Sequence, residues 1–203
     1  MCEKCEVGMW EEEQICPSCC RLSRYGEKHR YCKGEMAGLT CLWAYEGIAR
    51  KLISEAKYRY YFDELRAAIR LDFDRPEMAK FKEFVEKKPV VVPIPLAPKR
   101  QRERGFNQAE IIADILCERL CLSKKCVLVR TKETGQQVGR GREERLKAMN
   151  NAFEINSKYE ILNSKQNYLL VDDVWTTGTT MRECAKALRK VGVNSIWGVI
   201  IAR

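Results

Sequence analysis

No stretch of this 203-residue sequence is apolar for long enough to span a membrane. Its start, "MCEKCEVGMWEEEQIC", lacks a basic region followed by an apolar run, so it does not read as a secretory signal. Internal repeats, low-complexity segments and long Pro/Ser linkers are also missing. These absences predict a soluble cytosolic protein without membrane insertion, large enough for one substantial core and a small appendage. Cysteine, by contrast, is plentiful. The 11 cysteines are odd in number and seven fall within the first 41 residues, which favours metal ligation over a secreted disulfide framework.

Charge is placed unevenly. The chain totals +9, yet residues 1–20 hold Lys4 against five glutamates, a net of −4, so the rest carries +13. Anionic partners such as nucleotides, phosphates or nucleic acid belong with that larger part.

Cys2-x-x-Cys5 and Cys16-x-x-Cys19 form C-x2-C-x10-C-x2-C. Two such turns aim four thiolates at one point, and zinc fits four sulfurs as a closed, structural site. Cys20 is an alternative to Cys19, since a C-x3-C pairing also works. Cys32 and Cys41 stand alone and read as small buried residues. About 40 residues cannot build a sufficient core alone, so zinc would supply folding energy. Four thiolates around Zn²⁺ leave the site at about −2 on an acidic segment. This segment is therefore expected to dock on the basic part rather than to read nucleic acid itself.

From residue 39 the periodicity alternates. "LTCLWAY" (39–45), "VVVPI" (90–94), "CVLVR" (126–130), "YLLV" (168–171) and "IWGVII" (196–201) read as strands. Helical spacing links Ile48, Leu52 and Ala56, then Leu65, Ala68 and Ile69, then Met78, Phe81 and Val85. It recurs over Ala109–Leu120 and over Met181–Val191, with Gly192 as a stop. Strand–helix alternation predicts an α/β domain with a mainly parallel sheet over 39–203, after a metal module at 1–38.

The segment "YLLVDDVWTTGTTMREC" (168–184) carries the strongest chemical signal. In an open α/β sheet, ligands bind beyond the carboxyl ends of strands, where Asp172 and Asp173 stand. Thr176, Thr177, Gly178, Thr179 and Thr180 lead into a helix whose first N–H groups have no internal partner, a cradle for phosphate. Carboxylates would repel that phosphate, so they suit ribose hydroxyls and a Mg²⁺ shell instead. Simple capping needs one such residue, not the whole series.

"LLVDDVWTTGTT" resembles the phosphoribosyl-pyrophosphate (PRPP) motif of type I phosphoribosyltransferases, without the Gly-Lys-Ser/Thr ending of a P-loop. "VVPIPLAPKRQRERGFNQAEIIA" (91–113), the N-terminal cysteines, "KETGQQ" (132–137) and the terminal "IAR" extend the resemblance to the ComF family of competence-associated, phosphoribosyltransferase-like proteins. That resemblance implies a type I phosphoribosyltransferase-like sheet, PRPP with Mg²⁺ as ligands, and a role in DNA uptake and transformation beside other competence proteins. The sequence departs from the family pattern at Ala148, where Asn is expected, and in a second Cys-x-x-Cys reduced here to Cys32. Threonine at 176, where purine-salvage relatives carry a carboxylate, cannot act as acid or base at neutral pH and argues against purine salvage.

Two basic segments remain. In "KRQRER" (99–104), Lys99, Arg100 and Arg104 are the expected pyrophosphate ligands, with Gly105, Asn107 and Gln108 completing the loop. Arg140, Arg142, Arg145 and Lys147 suit a lid or a track for a nucleic-acid backbone, single-stranded DNA in particular. Phe106 and Tyr168 are too isolated for a base-stacking platform. The leading reading is a PRPP-binding protein of DNA uptake. The alternative is an active phosphoribosyltransferase of nucleotide or amine metabolism with no DNA role.

Overall fold

The computed structural model describes residues 11–56, 62–69, 71, 73–131, 152–159 and 165–203. In chain order the described strands are β1 (Gly38–Trp43), β2 (Val90–Pro93), β3 (Ser123–Lys124), β4 (Leu128–Arg130), β5 (Phe153–Ile155), β6 (Asn167–Val174) and β7 (Ser195–Ala202). The described helices are α1 (Gly47–Ala56), α2 (Phe62–Ala68), α3 (Ala79–Glu86), α4 (Pro98–Arg104), α5 (Gln108–Leu120) and α6 (Thr179–Lys190), with a 3-10 turn at Pro76–Met78 before α3.

Five strands pair in the order β1–β7–β6–β2–β3, every pair parallel. The α/β class and mainly parallel sheet expected from the alternating periodicity are the ones observed. Parallel strands buried on both faces need apolar residues at every position, and β6 shows the result. Leu169 and Val171 pack into a cluster with Ile53, Phe81, Ile112, Leu116 and Trp197. Tyr168 and Leu170 pack into the opposite one with Ile15, Met36, Met181, Cys184 and Leu188. Helices α1, α2, α3 and α5 thus cover one face. Helix α6, the N-terminal segment and a small β4–β5 sheet cover the other.

Residues 126–130 depart from the expected pattern. The short β3 takes the place beside β2, and β4 pairs antiparallel with β5 in a separate two-stranded sheet. An apolar run specifies burial but not a partner, so this assignment was not readable from the run itself.

The N-terminal segment docks on the free edge of β1, as its acidity led us to expect. The Gln14 side chain completes a ladder: its Nε2 donates to the Cys41 carbonyl at 2.8 Å, and its Oε1 accepts from the Cys41 N–H at 2.9 Å. Leu39 N–H donates to the Gly26 carbonyl at 2.8 Å. Glu11 pairs with Arg75 at 2.8 Å, and Glu12 pairs with Arg203. An edge covered in this way no longer offers unpaired backbone groups to another chain.

Gln14 is buried, so Gln14→Ala would strand both polar groups of Cys41. We expect a loss of about 1–3 kcal/mol. Urea unfolding should show this as a lower midpoint with an unchanged slope. A loss below about 0.5 kcal/mol would mean water satisfies the edge equally well.

Candidate functional site

Strands β2 and β6 are neighbours in the middle of the sheet, paired through Pro93 and Val171. Their ends therefore open on the same side, into a cleft of about 190 Å³. Ile94, Pro95 and Leu96 leave β2 to form one wall, and Asp172, Asp173 and Val174 end β6 to form the other. Arg100 and Arg104, four residues apart on α4, enter from above the β2 wall. Arg130 enters from β4 and Thr180 from α6.

Helix α5 fixes the wall. Asn107 caps it, its Oδ1 accepting from the Ala109 N–H at 3.1 Å, while its Nδ2 donates to the Ile94 carbonyl at 3.0 Å. One side chain thus locks the end of β2 to the start of α5. Gln108 Oε1 accepts from Arg104 Nη1 at 3.1 Å, which holds that guanidinium on the cleft side of α4. Gln108 Nε2 is buried without a hydrogen-bond acceptor among the described residues.

The acid pair is held from below. Asp172 Oδ1 accepts from the Asp173 N–H at 2.9 Å, and Asp173 Oδ1 accepts from the Val174 N–H at 2.7 Å. Arg130 lies over the Phe153 ring at 5.4 Å. Burial lowers its pKa and the like charge of Arg100 lowers it further, against Cys184 and Asp172. It remains a cation at neutral pH.

Beyond β6 the chain turns sharply. Gly178 sits at φ 71° and is the N-cap of α6. A Cβ there would meet the Trp175 indole at 2.0 Å, so both the backbone and the ring require glycine. Thr177 Oγ1 and Thr179 Oγ1 lie 3.0 Å apart across the turn. Thr176 and Thr177 are exposed.

The expected residues therefore separate into groups. Asp172, Asp173, Thr180, Arg100 and Arg104 line one cleft. Thr176, Thr177 and Gly178 form the adjoining loop, and Thr179 opens α6. Lys99 is exposed and is not among the lining residues. Arg140, Arg142, Arg145 and Lys147 lie outside the described residues. Arg130 is an addition; its signal in the sequence is a cation that ends an apolar strand.

A second site lies in the N-terminal segment. Ligand atoms of Cys16, Cys19, His29 and Cys32 lie within 4.8 Å of one another. Tetrahedral zinc with bonds of about 2.3 Å needs sulfurs about 3.8 Å apart, so small rotations close the sphere. Cys16 and Cys19 were expected here, whereas His29 and Cys32 were not. Cys2 and Cys5 lie outside the described residues. The missed signal is His29-x-x-Cys32, a second pair in which histidine stands for cysteine.

The donor set fits zinc in its surroundings as well. His29 Nε2 lies 2.9 Å from the Leu22 carbonyl, which places the proton there and leaves Nδ1, 3.4 Å from Cys19 Sγ, free to ligate. Burial raises the Cys16 pKa, but the N–H groups of Cys19, His29 and Ser18, with the Cys19 thiol, outweigh it and bring it to about 6. Burial, hydrogen bonds that the Cys32 thiol donates to Cys19 and Cys16, and their negative charge hold Cys32 up at about 11. A divalent cation would displace the protons that remain. Cys20 is not a member of the set; its Sγ accepts from Arg182 at 3.0 Å. Metal analysis should therefore find one zinc per chain at this set, lost in Cys16→Ala and Cys32→Ala and kept in Cys20→Ala. Full occupancy in Cys32→Ala would remove Cys32 from the set.

No family model matches the chain. Competence protein F of Haemophilus influenzae is 34% identical over 152 residues, which cover 73% of this chain and 66% of that protein. Competence protein ComFC of Streptococcus pneumoniae is 28% identical over 190 residues, 91% of this chain and 78% of that protein. DNA utilization protein YhgH of Escherichia coli is 32% identical over 111 residues, 52% of this chain and 45% of that protein. The chain thus spans about two thirds of the length of the Haemophilus protein and under half of YhgH. The matches to the competence proteins cover 73% and 91% of this chain. The chain is a homologue of the ComF competence proteins.

Proposed function

We propose that this chain is a phosphoribosyltransferase-like protein that holds PRPP with Mg²⁺ in the β2–β6 cleft and supports DNA uptake and transformation. The observation that carries the reading is one cleft with carboxylates on one wall and guanidiniums on the other, beside a glycine-capped helix start. The loop at 176–180 takes the 5-phosphate through its hydroxyls and the first N–H groups of α6. Asp172 and Asp173 address the ribose hydroxyls and would hold Mg²⁺, which supplies charge neutralisation for the pyrophosphate. Arg100 and Arg104 take the pyrophosphate across the cleft, Lys99 stands at its margin, and Arg130 adds a third guanidinium. Among the described lining residues the carboxylates are Asp172 and Asp173, and both are assigned.

The DNA part rests on different support. Relatives carry the names competence protein and DNA utilization protein, and residues beyond the first 20 carry +13. Residues 1–38 would form the metal module and 39–203 the phosphoribosyltransferase-like domain, working in the cytoplasm with other competence proteins. Single-stranded DNA would bind the larger domain through phosphates, with Arg140, Arg142, Arg145 and Lys147 among its cations.

Replacing Asp172 and Asp173 with Asn keeps an acceptor for each backbone N–H and removes the charge. Calorimetry should show Mg²⁺-dependent PRPP binding in the wild type, weakened at least about 100-fold in the double variant, with the melting point nearly unchanged. Unchanged affinity would sink the assignment. Acceptor-dependent release of pyrophosphate would instead support an active pentosyltransferase of nucleotide or amine metabolism.

For single-stranded DNA, affinity should fall with salt by a log–log slope of about −0.7 per phosphate contact. Changing Arg140, Arg142 and Arg145 together to Ala should make that slope shallower by about 2. The loss should be similar for different base sequences. A slope that does not change would place the DNA surface elsewhere.

A further inference from the structure

Arg182, in the first turn of α6, joins the two sites. Its Nε donates to the Pro17 carbonyl at 2.7 Å and its Nη2 to Cys20 Sγ at 3.0 Å, both on the turn that carries Cys16 and Cys19. Its Nη1 donates to the Thr177 carbonyl at 2.9 Å, and its guanidinium lies over the Trp175 ring at 5.1 Å. Three donors of one planar fork are thus shared between the metal-bearing turn and the loop expected to hold phosphate.

Each end has a reason to need the other. The Thr177–Gly178 peptide is trans, so a Thr177 carbonyl held toward Arg182 turns the Gly178 N–H the opposite way. A carbonyl turned instead toward a phosphate would repel it. On the metal side, Cys20 stands at φ 58°, a left-handed conformation that a non-glycine residue keeps only when its surroundings impose it. Ligation of Cys16 and Cys19 would impose it, since Cys20 N–H also donates to the Cys16 carbonyl at 2.9 Å. Seven residues along α6, Arg189 makes a separate clamp on the N-terminal segment, donating through Nε and Nη2 to the Glu35 carbonyl at 3.0 and 2.8 Å. Arg189 touches the segment without touching the loop, and so provides a natural control.

We propose that Arg182 is a positioning residue through which metal occupancy at Cys16, Cys19, His29 and Cys32 sets the geometry of the 176–180 loop. The metal site and the anion site are therefore coupled, and by linkage each ligand tightens the other. The ligand half of this statement rests on the PRPP reading above; the mechanical half does not.

The test uses the full chain with zinc bound, as wild type, Arg182→Gln and Arg189→Gln. Hydrogen exchange of the amides at 176–180 reads the tie without any ligand, and calorimetry with PRPP and Mg²⁺ reads the coupling. Arg182→Gln should keep its zinc and melting point, exchange these amides about tenfold faster, and bind PRPP at least about 5-fold more weakly. Arg189→Gln should do neither. Stripping zinc from the wild type should reproduce the Arg182→Gln effect, and stripping it from Arg182→Gln should add little. Loop exchange in zinc-bound Arg182→Gln equal to that of the wild type overturns the proposal, as does equal loosening in Arg189→Gln. Should stripping unfold the chain, the comparison of zinc-bound variants decides. Should the wild type bind no PRPP, the ligand reading falls alone, and the exchange data still judge the tie.

Discussion

The five described strands of the main sheet run the same way, and most of what the molecule offers to a ligand follows from that direction. Parallel strands need crossovers, and crossovers place helices on the faces, so the sheet is dry on both sides. Polar chemistry is then confined to the strand ends. At the ends of β2 and β6 the chain leaves the sheet in opposite ways: through Pro95 into a basic helix, and through Asp172 and Asp173 into a glycine turn. Opposite charges meet across one cleft because β2 ends at Pro93, opposite Val171, and Asp172 and Asp173 lie just beyond that point on β6.

The N-terminal segment completes this arrangement in two places. Along β1 it closes the sheet edge with the Gln14 ladder and the Gly26 carbonyl. Over α6 it meets Arg182 and Arg189, so the helix that begins at the candidate phosphate loop also carries the metal-bearing turn. Ile15 and Met36 are the main contributions of the segment's described residues to the core, and the polar anchors add to them. Zinc at Cys16, Cys19, His29 and Cys32 would hold the turn that makes these contacts.

Much of this was legible in the sequence, for identifiable reasons. Buried parallel strands leave continuous apolar runs, and 90–94, 168–171 and 196–201 became strands accordingly. Asp172, Asp173 and Gly178 were visible because no ordinary turn requires them together. The ligand set was less legible. Cys-x-x-Cys pairs draw attention by repetition, whereas His29-x-x-Cys32 hides its symmetry behind a change of residue type. Arg130 was missed because a strand-end cation has no local pattern; only the pairing of β4 with β5 directs it to the cleft. The link that Arg182 makes could not be found from sequence, since its partners on the N-terminal segment lie 162 and 165 residues away.

The cleft is proposed to hold a phosphorylated sugar carrying a pyrophosphate. Crystals of the zinc-bound protein soaked with PRPP and Mg²⁺ test it most directly. The account predicts the 5-phosphate on the amides and hydroxyls of 176–180, the ribose hydroxyls against Asp172 and Asp173, and the pyrophosphate facing Arg100 and Arg104. A well-ordered PRPP bound elsewhere, or a cleft that stays free of it at saturating concentration, would contradict the account.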